Sequence, residues 1–353
     1  MNPDVPSITI RAGPDGIRID QRRPQVTSLL TGMSAATALA RISSLLPICG
    51  GAQTLAARRA IEAARSDPPG REAETQREAS LWREQAHAAA WRLAIDWPDL
   101  LGEPRDLAGM RQILNADGGV DVARALARYL PGLGEVAEPE GLLDWAARTD
   151  CPAARLLRQA MVQGEARGND GGDTHRMSGD ALVRRARAVF DVPTFDALAP
   201  GDEAVEVGPA AMARHSLIPA LEAVPGMTAV TRRLFAQVLD THVIASRLRG
   251  PPQETAGQPE SWTLADGKGL GRAQTARGPV FHRVSLDPHD GETVTDWRVL
   301  APTDWHFSPR GPLARSAGEG PQEESWLRLL IAGFDPCAPW TMVTGAGEGG
   351  SDA

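Results

Sequence analysis

The chain has 353 residues, 42% of them apolar, and a formal net charge of -8. That length buries a substantial core, while the acidic balance excludes a nucleic-acid surface, which needs clustered Lys and Arg against phosphate; the runs at 22–24 and 184–187 are too short to serve. No apolar stretch is long enough to span a bilayer, and Cys49, Cys151 and Cys337 are too few and too scattered for a disulfide framework.

The start, MNPDVPSITIRAG, has no basic region followed by an apolar run, so a cytoplasmic protein with neither nucleic-acid nor membrane partners is expected. ITIRAGPDGIRID alternates around Pro-Asp-Gly and predicts a short hairpin. From about Gln53 the spacing becomes helical, in AQTLAARRAIEAARS and then EASLWREQAHAAAWRLAIDWPDLL, which Pro98 is expected to help end. Helical segments continue at 120–130, 142–150, 153–166, 179–190 and 227–248, with an exposed Gly-rich loop at 166–180.

Beyond GPPQETAGQPE the character changes. RGPVFHRVSL and TVTDWRVL read as strands joined by DPHDGE, SPRGPLARSAGEGPQ as loop, EESWLRLLIAGF as a last helix and TGAGEGGSDA as a frayed tail. With 36 Gly and 28 Pro, loops must be plentiful. The expectation is a mainly α fold with a small β portion (α+β), in one domain over 1–343: hairpin and first Cys motif at 1–52, helical body at 53–250, a β and loop segment with a second Cys motif at 260–343, and a flexible tail at 344–353.

Four segments carry the chemistry: LPICGGAQ (46–53), QTARGPVFH (274–282), APTDWHFSPRG (301–311) and FDPCAPW (334–340). Singly each is bland, since free Cys is usually a small buried hydrophobe. In this order they resemble the nickel-iron hydrogenase large subunit, whose motifs run C-x-x-C-x-x-x-H, E-A-P-R-G with a later His, P-S/T-T-W-N-x-x-P-R and D-P-C-x-x-C-x-x-H. Leu46 and Gln53 stand where that family has its first cysteine and its histidine, and Cys49 keeps the second cysteine. Arg277, Gly278 and His282 match the second motif, and Pro302, Thr303, Trp305, Pro309 and Arg310 the third. Asp335, Pro336 and Cys337 keep the start of the last, while Trp340 and Val343 replace its second cysteine and histidine.

The resemblance implies a large-subunit-like fold whose site has lost half its thiolates. Nickel in such a centre depends on four soft ligands, so no nickel is expected, and the proton-transferring Glu of the enzymes has no counterpart in ITIRAGPDG. What remains is the iron side. Arg277 and Thr303 match the donors that face the two cyanides, Pro302 the apolar wall near carbon monoxide, and Cys49 and Cys337 the metal thiolates. His282 and His306 flank the site as hydrogen-bonding groups.

This pattern is similar to the HupK/HoxV-type hydrogenase maturation proteins. It implies a non-catalytic scaffold or chaperone that holds the Fe(CN)2CO fragment and transfers it to the large-subunit precursor, with HypC-type and HypD-type proteins as the other partners. A metal-free structural assembly partner and a divergent large subunit are the competing readings. Cys49 maps to an iron-bridging thiolate and Cys337 to a nickel-only one, so Cys337 either swings to iron or serves transfer. Cys151 reads as a helix-start packing residue, His87 as a core or boundary histidine and Asp335 as a turn or helix-end cap.

Overall fold

The computed structural model describes residues 7–22, 26–67, 69–167, 174–192, 204–251, 260–319 and 322–344. The predicted hairpin is Ser7–Gly13 (β1) and Gly16–Arg22 (β2), with Pro14 and Asp15 in the turn and Gly16 taking a φ of 117°. Helices follow at Ala35–Leu45 (α1), Gly50–Ala64 (α2) and Arg71–Trp91 (α3), and a π-helical turn, Arg92–Asp96, carries α3 into Trp97–Leu101 (α4). Next come Leu107–Leu114 (α5), Gly119–Ala127 (α6), Pro139–Arg148 (α7) and Pro152–Arg167 (α8). The short strands His175–Arg176 (β3) and Val205–Glu206 (β4) pair in parallel around Gly179–Phe190 (α9).

Pro209–Met212 (α10), Leu217–Ala220 (α11) and the long Ala229–Arg249 (α12) complete the helical body. A four-stranded antiparallel meander follows: Ser261–Ala265 (β5), Lys268–Thr275 (β6), Gly278–Leu286 (β7) and Val294–Leu300 (β8). Pro302–His306 (α13), Pro312–Ala317 (α14) and Glu324–Phe334 (α15) lead to Trp340–Thr344 (β9), which joins β1 in parallel with Ile8 opposite Trp340. The fold is mainly α with small sheets, as the sequence predicts.

The departures have local causes. A 3-10 turn at Val26–Leu30 and then α-helix from Ala35 precede Gln53; Ser34 accepts the Thr37 N–H and caps this short amphipathic helix. Pro98 does not end its helix. It follows the π-helical turn Arg92–Asp96 inside one continuous helical run, the kind of irregularity that accommodates a residue without an N–H, and Gly102 at φ 68° makes the stop. The loop expected at 308–322 contains α14. The strand β6, KGLGRAQT, escapes notice because two glycines stand where β-branched residues would signal a strand. The loop expected at 166–180 overlaps the end of α8, β3 and the start of α9, with 168–173 outside the described residues. Thr344 ends β9, and the rest of the expected tail, 345–353, also lies outside them.

Those glycines place the site. A Cβ on Gly271 would stand 2.1 Å from the Ala56 carbonyl oxygen, and one on Gly269 2.0 Å from that of Ala60. The sheet therefore lies directly on the backbone of α2, whose buried Ala52, Ala56, Ala57, Ala60 and Ala64 present almost no side-chain bulk. This packing fixes the N-terminus of α2 relative to the β6–β7 turn. Gly271→Ala is expected to cost at least about 1–3 kcal/mol by overpacking, read as a lowered thermal midpoint; an unchanged midpoint would mean that the helix can back away.

Candidate functional site

Cys49 is the N-cap of α2 and adopts the left-handed region, φ 59° and ψ 39°, an uncommon conformation for a side-chain-bearing residue. Its thiol does not cap the helix. Glu84 of α3 does so, accepting the Gly51 and Ala52 N–H groups at 2.6 and 3.0 Å. A Cβ on Gly51 would come within 2.8 Å of that carboxylate. The C-G-G run thus has a physical reason: it turns the thiol out of the helix and leaves room for an acid supplied by a neighbouring one.

Arg277 occupies the turn between β6 and β7. Its N–H donates to Thr275 Oγ1 at 3.0 Å, and that hydroxyl donates to the Gly278 carbonyl at 2.7 Å. Gly278 takes φ 130°, and a Cβ there would meet the Val207 carbonyl oxygen at 2.5 Å and Pro302 Cγ at 3.2 Å, so Pro302 stands against this turn. The guanidinium is buried. Nη1 donates to Cys49 Sγ at 3.7 Å, and Nε lies 3.3 Å from Asp335 Oδ1.

Asp335 ends α15 at φ 47° and turns the chain toward Cys337. The helix-end role read from the sequence is present, but its carboxylate does more. Its second oxygen accepts from Arg92 Nη1 at 3.0 Å, so one acid is shared by two buried arginines. At the other thiol, Thr303 Oγ1 donates to Cys337 Sγ at 2.9 Å and accepts the Cys337 N–H at 2.9 Å. Gln21 of the hairpin donates to the Thr303 carbonyl at 3.0 Å, tying the N-terminal sheet to this loop. Cys49 and Cys337 both border the core beneath α2 and the sheet.

His282 is fully buried, and its tautomer follows from its partners. Trp297 Nε1 can only donate, to Nδ1 at 2.9 Å, so Nε2 carries the proton and donates to Gln53 Oε1 at 2.7 Å. It therefore acts on the site through Gln53, one turn along α2 from Cys49. His306 accepts the Val207 N–H at Nε2, 3.1 Å, and packs on Phe334. Cys151 starts α8, its sulfur accepting the Ala154 N–H at 3.4 Å. Trp340 belongs to β9, packs against the helical core and lies beneath the Arg328 guanidinium, while Cys49 and Cys337 border the other core; Val343 is exposed.

Burial pushes the Cys49 thiol up to about 12; Arg277 pulls it down, and the charges of Cys337 and Glu84 raise it again. Burial alone would depress Arg277, but Asp335 and then the two sulfurs outweigh it, so the guanidinium stays charged. Asp96, in the π-helical turn, is raised to about 6 by burial and then by Asp335, against the pull of Arg277, the Trp91 indole and Arg92. Since its ordinary value is 3.8, the folded state binds the proton more tightly than the unfolded one between these limits. Stability therefore falls as pH rises from about 4 through 6. Asp96→Asn is expected to be more stable than the parent at pH 7.5, an advantage that shrinks toward pH 4, in denaturant midpoints measured at both. A variant less stable at pH 7.5 would mean that the carboxylate is net favourable there.

The structure thus joins Cys49, Arg277 and Asp335 in one contact set and Cys337 with Thr303 in another, with Cys337 close enough to act on the Cys49 charge. Arg92, Asp96, Glu84 and the Gln53–His282 bond are missed by sequence reasoning. A signal did exist for Gln53, which stands where the resembling family has a histidine. Two sulfur donors beside a fixed guanidinium can hold a thiophilic metal that carries anionic ligands.

No family model matches the chain. It is 32% identical over 348 residues to the hydrogenase expression/formation protein HupK of Azotobacter vinelandii and 31% identical over 350 residues to the protein HupV of Azotobacter chroococcum mcd 1, each alignment covering 92% of both chains. Among solved structures, an NAD+-reducing nickel-iron hydrogenase in the H2-reduced state shares the fold at a TM-score of 0.57 and 13% identity, over 91% of this chain and 92% of that one. With relatives matching nearly end to end and a fold shared with the hydrogenase, the chain belongs to the HupK/HoxV-type hydrogenase expression/formation proteins.

Proposed function

We propose that this protein is a non-catalytic, cytoplasmic scaffold in hydrogenase maturation that holds the Fe(CN)2CO fragment as cargo and passes it to the large-subunit precursor. HypC-type and HypD-type proteins are its expected partners on the delivery side. The observation that carries this reading is the Arg277 guanidinium, buried and clamped by Asp335 with its free edge on Cys49. A cyanide ligand is an anion in need of such a donor, and charge-assisted bonds of this kind are about twice as strong as neutral ones.

The donor set suits transient holding. Two thiolates bound to the fragment would leave an anionic centre, and Arg92 and Arg277 against the single charge of Asp335 supply the opposing excess. The Cys49 thiol, raised to about 12, must lose its proton on binding, so affinity weakens as protons become available. Release needs only reprotonation and a competing thiolate. Two sulfurs, with no further soft ligand in the matched motifs, do not provide the four that nickel requires.

Infrared spectra of protein purified anaerobically after co-production with the maturation proteins test this directly. Cyanide and carbonyl stretching bands are expected, with iron but no stoichiometric nickel. Their absence would sink the cargo reading and favour a metal-free assembly partner, while stoichiometric nickel with hydrogen uptake would make the chain a divergent enzyme.

A further inference from the structure

Beside Arg277 lies a cavity of about 10 Å³ lined by Glu206, Arg233, Gln237, Arg277, His306 and Asp335, with Gly333 and Phe334 beside them. Four buried polar atoms among these lining residues lack a hydrogen-bond partner: Arg277 Nε, which faces Asp335 across 3.3 Å as an ion pair, and His306 Nδ1, Arg233 Nη1 and Gln237 Oε1. Their roles are fixed by what their other atoms do. His306 Nε2 accepts from the Val207 N–H, so Nδ1 carries the proton; the Phe334 carbonyl lies near it but outside hydrogen-bond geometry. Burial holds this ring at about 4, hence neutral in ordinary buffers. Gln237 Nε2 donates to the Ala332 and Gly333 carbonyls at 3.0 and 2.9 Å, which leaves Oε1 as an acceptor. Arg233 spends Nε and Nη2 on Glu206, each at 3.0 Å, so Nη1 is a spare donor.

We infer that this cavity is a binding site for one structural water molecule. Three arguments converge. The volume admits about one water-sized occupant, since roughly 10–15 Å³ on this measure is needed. Two donors and one acceptor match the roughly three hydrogen bonds that an internal water makes. The formal charges on the lining cancel, Arg233 and Arg277 against Glu206 and Asp335; the further charge of Arg92 on Asp335 excludes a cation and leaves a small anion as the competing occupant, which a bromide soak tests.

The water joins two otherwise separate ion-pair systems. Glu206–Arg233 ties β4 to α12, and Arg277–Asp335 holds the cysteine-facing guanidinium. A shared water makes the second system continuous with the first. This inference concerns the protein without cargo and stands whether or not the iron fragment binds.

A crystal structure at better than about 1.8 Å, a resolution at which internal waters are routinely ordered, tests it. One full-occupancy water is expected within hydrogen-bond reach of His306 Nδ1, Arg233 Nη1 and Gln237 Oε1. An empty cavity, or an anomalous peak there after a bromide soak, overturns it. In His306→Phe, which removes the donor, the water is expected to be lost or reduced to less than half occupancy; full occupancy would overturn the part assigned to His306.

Discussion

Asp335→Ala is expected to remove about 3–5 kcal/mol of folding stability, the usual cost of leaving a buried charge without its partner. The position is unusual in serving two arginines. Arg92 is 2% exposed and Arg277 8%, and both oxygens of the carboxylate are committed to them. Burial alone depresses Arg92, and Asp335 is the strongest influence raising it back. The internal control is Asp121, whose pair with Arg124 lies on the surface with both side chains more than half exposed; Asp121→Ala is expected to cost about 1 kcal/mol or less. Urea denaturation of both variants decides the matter. If Asp335→Ala costs no more than Asp121→Ala, the arginines have found water or other acceptors and the strut is not what holds Arg277 in place.

How much of this could be read beforehand depends on whether the signal is local. The hairpin is written in alternation and a Pro-Asp-Gly turn, and α15 in its own spacing, so both are legible. By contrast, β6 is chosen by a partner: Gly269 and Gly271 are there because α2 lies on them, a requirement that the strand's own composition hides. β9 likewise becomes a strand because β1 offers it an edge. The same division runs through the site. Cys49, Arg277, Thr303 and Cys337 sit in recognisable motifs, whereas Glu84 lies on α3 and Arg92 in the π-helical turn after it, both in a run of ordinary helix formers. Only the tertiary fold makes Glu84 the cap of another helix and Arg92 the second partner of Asp335. Charged residues in a helical pattern read as a solvated face until packing turns them inward.

Cys49→Ala is expected to abolish the cyanide and carbonyl bands, the largest functional effect of any single substitution here. The two thiols are not equivalent in the structure. Cys49 faces the Arg277 guanidinium, so a fragment bound there places an anionic ligand against a fixed cation. Cys337 is restrained by Thr303, which both donates to its sulfur and accepts its N–H. Either donor must release its sulfur before it can serve a cyanide. The Thr303–Cys337 bond, at 2.9 Å, is the closer of the two and the Arg277–Cys49 contact, at 3.7 Å, the looser, so engaging Cys337 costs more. Cys337→Ala is therefore expected to leave bands of reduced intensity and altered frequency, because the second ligand and its tether are gone while the Cys49–Arg277 half persists. Thr303→Val should lower iron occupancy by about 10–100-fold in affinity terms, the usual effect of removing a group that orients a metal ligand. If Cys337→Ala alone erases the bands while Cys49→Ala keeps them, the assignment is reversed. Arg277 would then be stabilising an unliganded thiol, and the cargo would hang from the loop after α15.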